Sequence, residues 1–233
     1  MSGNVSLEIE GGIARVTIDD GKANALSPAL IEELSETVDR AADQARAVVL
    51  CGRPGRFCAG FDLKVMMAGP DAMRGLVIAG ADLFLKLYEL PRPLVIACTG
   101  HALAGGALLV ATGDTRIGAL GEFKIGLNEV RNGMSVPILA HELARDRLDP
   151  RHLVEAVLQA RIYDPTGAVE VGWLDRAVEP AQVVPEAVAE AERLAGLAGS
   201  AYATTKRSLR RQTLAYIRDT LASNMVELTG SAG

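Results

Sequence analysis

The segment that most restricts the fold of this chain runs from a buried strand through a glycine-rich turn into an apolar helix. Leu94–Cys98 (LVIAC) is typical of a strand that is buried on both faces. It leads directly into the turn at residues 100–106, which is followed by the apolar run at 107–111. Such a turn exposes backbone N–H groups at the N-terminus of a helix, where the partial positive charge favours an anion or a developing oxyanion. The pattern predicts a site here that stabilises a negative oxygen.

A solitary carboxylate follows this turn in apolar surroundings. Glu129 lies in the sequence GLNEV, and the burial of a carboxylate is costly and raises its pKa toward neutrality. One base beside donors for a negative oxygen is the arrangement needed to remove a proton next to a carbonyl group. The motif alone also allows a surface carboxylate at this position.

Length and composition restrict the class of protein. With 233 residues, of which 49% are hydrophobic and 23% charged, the chain has the composition of a globular protein with a sizeable core. The net charge of −5 disfavours a nucleic-acid-binding surface. We expect one large domain over residues 1–180, followed by a helical region over residues 181–233 that packs on the core or on a neighbouring subunit.

Cysteine usage and hydropathy indicate the compartment. The three cysteines, an odd number in a long chain, are typical of a reducing compartment, and none has metal-ligand spacing to another cysteine or to a histidine. The sequence shows no basic-then-apolar leader and no apolar run of about 18 residues. It therefore predicts a cytoplasmic protein without a metal centre and without a membrane segment.

The order of the first predicted elements indicates an α/β fold. Residues 6–9 and 13–18 are strand-like and flank Gly11-Gly12, which predicts a hairpin. Ser27-Pro28 is a helix start, because serine caps the N-terminus and proline suits the first helical position. A buried strand at residues 47–51 follows that helix, and strand, helix and strand in this order imply a right-handed crossover.

The later part of the chain is predicted to contain a loop and several helices. Residues 53–64 have the composition of a loop, with Gly60 allowing a sharp turn that can direct the next N–H into a cleft. A helix opened by Asp149-Pro150 is predicted to run to residue 158. The segments 187–197 and 203–228 are predicted to be helical, because they are amphipathic and rich in alanine.

Five segments, in this order and at these separations, resemble the crotonase (enoyl-CoA hydratase/isomerase) superfamily over nearly the whole chain. They are KANALS, GRFCAGFDLK, PRPLVIACTGHALAGGALLVATGDTRI, FKIGLNEV and AVEVGWLDRAVEP. The resemblance implies an α/β fold, a crotonase-type spiral of ββα repeats with a helical C-terminal trimerisation region. It also implies trimers or dimers of trimers and an acyl-CoA thioester as partner, with coenzyme A entering only as part of the substrate and no separate cofactor.

The resemblance also assigns site residues. By position, the thioester carbonyl would lie between the N–H groups of Phe61 and Gly105, with Glu129 as the catalytic carboxylate. Lys206 matches a lysine that reaches the CoA phosphates in relatives. The positions that match the CoA channel are Ala23, Asn24, Ala25, Leu26, Asp62 and Leu63. The positions expected in the substrate pocket are Gly106, Leu108 and Met134.

One position departs from the hydratases of this superfamily, which use two glutamates. The first glutamate is replaced by Leu108, whereas the second is retained as Glu129. This pattern resembles the Δ3,Δ2-enoyl-CoA isomerases and predicts transfer of one proton by one base. Two alternatives remain open. One is another enzyme of the same fold, either a hydratase that takes an acid from Glu122 or Asp62 or a lyase or hydrolase that acts on a different acyl-CoA. The other is a non-catalytic acyl-CoA-binding protein.

Overall fold

The larger of two sheets forms the centre of the structure, a computed structural model that describes residues 3–230. Its six strands lie in the order β1-β2-β3-β5-β7-β9. The strands β1 and β2 are an antiparallel hairpin, as predicted, and the others run parallel. The bounds are β1 Val5–Glu10, β2 Ile13–Ile18, β3 Ala47–Gly52, β5 Leu94–Cys98, β7 Thr115–Ala119 and β9 Arg176–Val178.

A smaller sheet of three parallel strands lies in the order β4-β6-β8. Its strands are β4 Gly55–Cys58, β6 Gly100–Leu103 and β8 Ile125–Gly126. The strands β3, β5 and β7 of the large sheet are each followed by one of these short strands, so the chain winds as a spiral of repeats. This confirms the predicted crotonase-type α/β spiral.

The sequence-based boundaries were wrong where β4 and β6 form. Residues 53–64 were predicted as a loop and residues 100–106 as a turn, yet each contributes a strand to the small sheet. Both strands are short and contain glycine, so they lack the alternating pattern that identifies a strand from sequence. These residues form strands because β4 and β6 pair with each other, although they are far apart in the sequence.

Eight α-helices surround the sheets within the described residues. They are α1 Pro28–Gln44, α2 Leu63–Met66, α3 Pro70–Tyr88, α4 Gly105–Ala111, α5 Ile138–Arg147, α6 Pro165–Val171, α7 Val183–Ala195 and α8 Gly199–Gly230. The predicted cap of α1 is confirmed, because the Ser27 hydroxyl accepts the Leu30 N–H at 3.2 Å. The predicted helix 150–158 is instead a 3-10 turn at Pro150–His152 followed by a π-helical segment at Val154–Leu158.

Alternate residues of the central strands face two different layers. Val48, Leu50 and Ile96 pack toward α1, α3, α4, α5 and α8, whereas Val49 and Val95 pack toward α7. Helix α7 is therefore part of the core, contributing Val183, Ala187, Ala191 and Leu194 to it. This agrees with the expectation that the helical region packs on the core.

The predicted boundary near residue 180 stays a prediction, and the predicted ends at residues 1–2 and 231–233 lie outside the described residues.

Helix α8 packs on α5 and α3 through its buried face, which comprises Leu214, Ile217, Leu221 and Met225. None of the helices described between residues 3 and 230 is long and apolar enough to cross a membrane.

Candidate active site

A cavity of about 430 Å³ lies between α3, α4, the segment after β8 and the C-terminal part of α8. Its wall is mostly apolar, as is usual for a small-molecule site. The predicted residues Phe61, Leu63, Leu108, Glu129 and Met134 all line it. Seven further helical residues line the cavity and were not predicted from the sequence: Met66, Met73, Val77, Leu139, Ala140, Met225 and Leu228.

The backbone N–H groups of Phe61, which lines this cavity, and of Gly105, which follows the cavity-lining Ala104, have no protein acceptor among the described residues. Phe61 is flanked by two hydrogen bonds to Leu26: the Leu26 N–H donates to Gly60 O at 2.8 Å, and the Asp62 N–H donates to Leu26 O at 3.1 Å. Because neighbouring amides of an extended segment point in opposite directions, the Phe61 N–H points away from Leu26. The Gly105 N–H is at the first position of α4, where no intrahelical acceptor exists.

The loops that carry these two donors touch each other at Gly60. Gly60 has a φ of +92°, and a Cβ at this position would lie 2.9 Å from Leu103 O and 3.2 Å from Gly105 N. Only glycine allows both this conformation and this close approach. On the other loop, Ala104 has a φ of +50° and a ψ of −122°. That conformation is strained for a non-glycine residue and is typical of functional sites.

Glu129 follows β8 and begins a 3-10 turn at Val130–Asn132. Its carbonyl oxygen accepts the N–H groups of Asn132 and Met134, both at 2.9 Å, which closes the turn around the residue. The residue is only 9% exposed, and its Oε2 has no hydrogen-bond partner among the described residues. Burial raises the pKa of Glu129, and the N–H groups of its own backbone and of Asn128 oppose this shift.

Among the described residues that line the cavity, Glu129 is the only one with a titratable side chain. Leu108 of α4 lines the same cavity and is 3% exposed. Neither of the acids considered as a second proton donor lines it: Glu122 is exposed, and the Asp62 carboxylate caps α2 by accepting the Lys64 N–H at 2.8 Å. The cavity therefore offers one buried base, and two N–H groups beside it can polarise one carbonyl group of a ligand.

Two residues that follow Glu129 in the sequence take different positions. Asn132 lines the cavity, whereas Arg131 is exposed and lies outside its wall. Residues 3–230 contain no cluster of three or more His, Cys, Asp or Glu side chains suited to hold a metal ion.

The structure contradicts the role predicted for Lys206. Its side chain is 5% exposed, with Nζ 2.7 Å from Asp114 Oδ2 and 3.0 Å from Arg92 O. Burial lowers its pKa to about 8, against the attraction of Asp114, which raises it. Because the ammonium group is enclosed and paired, Lys206 anchors α8 and does not reach toward a ligand.

Three further predictions need correction. Asn24 and Leu26 are fully buried and do not line a channel. Gly106 is not among the cavity-lining residues; a Cβ there would lie 2.0 Å from Cys58 O, so glycine is required for the packing of α4 against the end of β4. The contacts predicted between coenzyme A and Ala23, Ala25, Asp62 and Leu63 stay predictions.

Comparison with known proteins places these features in a family. The sequence profile of the family described as enoyl-CoA hydratase/isomerase matches residues 8–226. Enoyl-CoA delta isomerase 1, mitochondrial, from Homo sapiens is 30% identical over 223 residues, covering 92% of this chain and 74% of its own length.

Two solved structures are similar in fold and sequence. An enoyl-CoA hydratase/isomerase family protein from Pseudomonas syringae superimposes with a TM-score of 0.91 and 37% identity, covering 98% of this chain and 97% of its own. An enoyl-CoA hydratase from Mycobacterium ulcerans also gives a TM-score of 0.91, with 34% identity and coverage of 95% and 99%. Relatives named as isomerases and as hydratases are thus similarly close.

Proposed function

Because the chain belongs to the enoyl-CoA hydratase/isomerase family, whose members act on acyl-CoA thioesters, we propose that it moves the double bond of a 3-enoyl-CoA to give the 2-enoyl-CoA. The observation that carries this proposal is that Glu129 and Leu108 line the same cavity. Glu129 is the only titratable side chain in the cavity wall over the described residues, and leucine takes the place of a second acid. One base suffices for a proton shift, whereas the addition of water needs a further group.

The proposed reaction needs one proton and one base. A 3-enoyl-CoA carries an acidic proton on C2, between the thioester carbonyl and the C3–C4 double bond. Glu129 removes this proton, and the electron pair moves onto the carbonyl oxygen to form a dienolate. The N–H groups of Phe61 and Gly105 donate to that oxygen; such donors contribute about 3 kcal/mol each.

Collapse of the dienolate completes the reaction. Glu129, now protonated, returns the proton to C4, and the double bond forms between C2 and C3, so the product has the same atoms as the substrate. The raised pKa of Glu129 suits this exchange, because a group that must first accept and then donate a proton works best near the ambient pH. Leu108 and the methionine-rich wall keep water away from the dienolate.

An assay with two substrates tests the proposal. Purified protein is incubated with a 3-enoyl-CoA and, separately, with a 2-enoyl-CoA, and the products are separated by chromatography. We expect conversion of the first and no 3-hydroxyacyl-CoA from the second. Fast hydration of the second would contradict the proposal and favour a hydratase. Binding without turnover of either would favour another acyl-CoA reaction or a binding protein. The cytoplasmic location and the trimeric or hexameric assembly stay predictions.

A further inference from the structure

Asn24 is a buried polar residue beside the segment that carries Phe61, and both its side-chain nitrogen and its side-chain oxygen form hydrogen bonds. It is 0% exposed, and its φ of +54° lies in the left-handed region, which asparagine tolerates better than most residues. Its side-chain nitrogen donates to Ile18 O at 2.9 Å and to Arg56 O and Phe57 O at 3.1 Å each. Its side-chain oxygen accepts the Asp20 N–H at 3.0 Å.

These bonds join two nearby parts of the chain to a third part that is distant in sequence. Ile18 is the last residue of β2, whereas Arg56 and Phe57 belong to β4, which leads to Phe61. Asn24 itself lies in the segment 23–26, which runs beside the segment 59–62. The two segments are joined by the Ala59 N–H to Ala23 O bond of 3.0 Å and by the Leu26 bonds described above. The position of Asn24 therefore sets the position of segment 23–26 against segment 59–62.

The peptide group of Phe61 is consequently held from two sides. On one side lies the segment anchored by Asn24, and on the other the Phe61 ring packs on the bare backbone of Gly80 in α3. A hydrogen-bond donor is effective in a transition state when it is already oriented, so that no reorganisation is needed during the reaction. An error of about 1 Å in such a position can reduce a rate about 100-fold.

We propose that Asn24 is a positioning residue of the oxyanion hole, which orients the Phe61 N–H toward the thioester oxygen without touching the substrate. The inference rests on the proposed function for the role of the Phe61 N–H. It replaces the expectation that Asn24 contacts coenzyme A.

The test is the carbonyl stretching frequency of a bound thioester. Hexanoyl-CoA, labelled with ¹³C at the thioester carbonyl, is a suitable probe because it has no double bond to shift. Hydrogen bonds to the carbonyl oxygen lower its stretching frequency, and the lowering on binding is measured by difference infrared spectroscopy. We expect a clear lowering in the unmodified protein and a loss of at least about half of it in Asn24→Gly, which keeps the left-handed backbone but lacks the amide.

Kinetics and two further variants complete the experiment. For Asn24→Gly we expect kcat for the 3-enoyl-CoA to fall about tenfold or more, with KM nearly unchanged. Val38→Ala, a buried truncation in α1 that does not line the cavity, controls for general destabilisation and should keep the full frequency shift. Asp20→Ala removes the acceptor of the Asn24 backbone N–H, which is 2.9 Å away. Because Asp20 is only half-buried, this variant gives a smaller loss of the shift even if Asn24→Gly does not fold.

The outcomes separate this inference from the proposed function. A full frequency shift in both the Asn24→Gly and Asp20→Ala proteins would overturn the role of Asn24 while leaving the isomerase proposal intact. An equal loss in Val38→Ala would also overturn it, because the effect would then be one of general stability. If the shift depends on Asn24 but the unmodified protein isomerises no 3-enoyl-CoA, the positioning role stands and the proposed reaction fails. An unmodified protein that produces no shift overturns the inference directly.

Discussion

Lys206 Nζ lies 2.7 Å from Asp114 Oδ2, and the two side chains are only 5% and 10% exposed. The same carboxylate accepts the Leu94 N–H at 2.8 Å and lies 2.9 Å from Arg210. One buried carboxylate thus holds two cations of α8 against the start of β5. Since α8 also supplies Met225 and Leu228 to the cavity, this ion pair supports the wall of the candidate active site.

Asp114→Asn should therefore destabilise the protein strongly. The amide can still accept the Leu94 N–H, but Lys206 and Arg210 remain buried without their counter-charge, and the loss of one partner of a buried pair costs about 3–5 kcal/mol. The free energy of unfolding is measured in guanidinium chloride at pH 7. Asp39→Asn is the matched control, because its pair with Lys86 is exposed and should be worth less than about 1 kcal/mol. Equal losses of unfolding free energy in the two variants would show that the buried Asp114 carboxylate contributes no more to stability than an exposed carboxylate.

Glu129→Gln should abolish most of the activity with little effect on binding. The amide has nearly the same shape as the carboxylate but cannot accept the C2 proton, and a general base contributes about 100-fold to 10,000-fold. We expect kcat to fall in that range and KM to change by less than about threefold. Glu122→Gln, at an exposed position outside the cavity, is the control and should keep full activity. A Glu129→Gln protein with more than a tenth of the original kcat would exclude Glu129 as the base.

The pH dependence of the rate should reflect the raised pKa of Glu129. Only the ionised form can accept the proton, and burial disfavours that form. The acid limb of kcat/KM should therefore have its midpoint above 4.5, the ordinary value for glutamate. It is measured with a 3-enoyl-CoA from pH 4 upward in a buffer series of constant ionic strength. A midpoint at or below 4.5 would mean that the carboxylate is solvated or paired during turnover.

The same burial makes Glu129→Gln a stabilising substitution at neutral pH. The folded protein holds the Glu129 proton more tightly than the unfolded chain does, so its stability falls as pH rises from 4.5 through the raised pKa. Glutamine has no charge to desolvate and is free of this loss. The difference in Tm between the variant and the unmodified protein should be small near pH 4, grow with pH and then level off. A difference that is independent of pH would contradict the assignment.

Gly80→Ala should reduce activity although alanine is the better helix former. Alanine favours a helix interior by about 1 kcal/mol over glycine, but its Cβ at this position would lie 2.3 Å from Phe61 Cε1. The Phe61 ring must move, and its N–H moves with it, so we expect kcat/KM to fall about tenfold or more. Gly75→Ala is the matched control on the same helix, because a Cβ there meets nothing within 4 Å. It should gain stability and keep its activity.

Local sequence determined the features that depend on neighbouring residues. The hairpin around Gly11-Gly12, the Ser27 cap and the buried strand Leu94–Cys98 are each specified by a few consecutive side chains, and all were predicted correctly. The isolation of Glu129 among apolar residues also predicted its burial. Such features require only that the chain satisfy its own backbone hydrogen bonds and bury its own apolar side chains.

Only the tertiary structure decided features that join distant residues. Lys206 has the sequence context of an exposed helix lysine, and its burial follows from Asp114, a partner 92 positions away. Asn24 forms its bonds to residues 56 and 57, about which its neighbours in sequence carry no information. Met225 reaches the cavity because α8 packs on α5. A side chain's partner across the fold is chosen by packing of whole elements, so its role cannot be derived from residue type and local spacing alone.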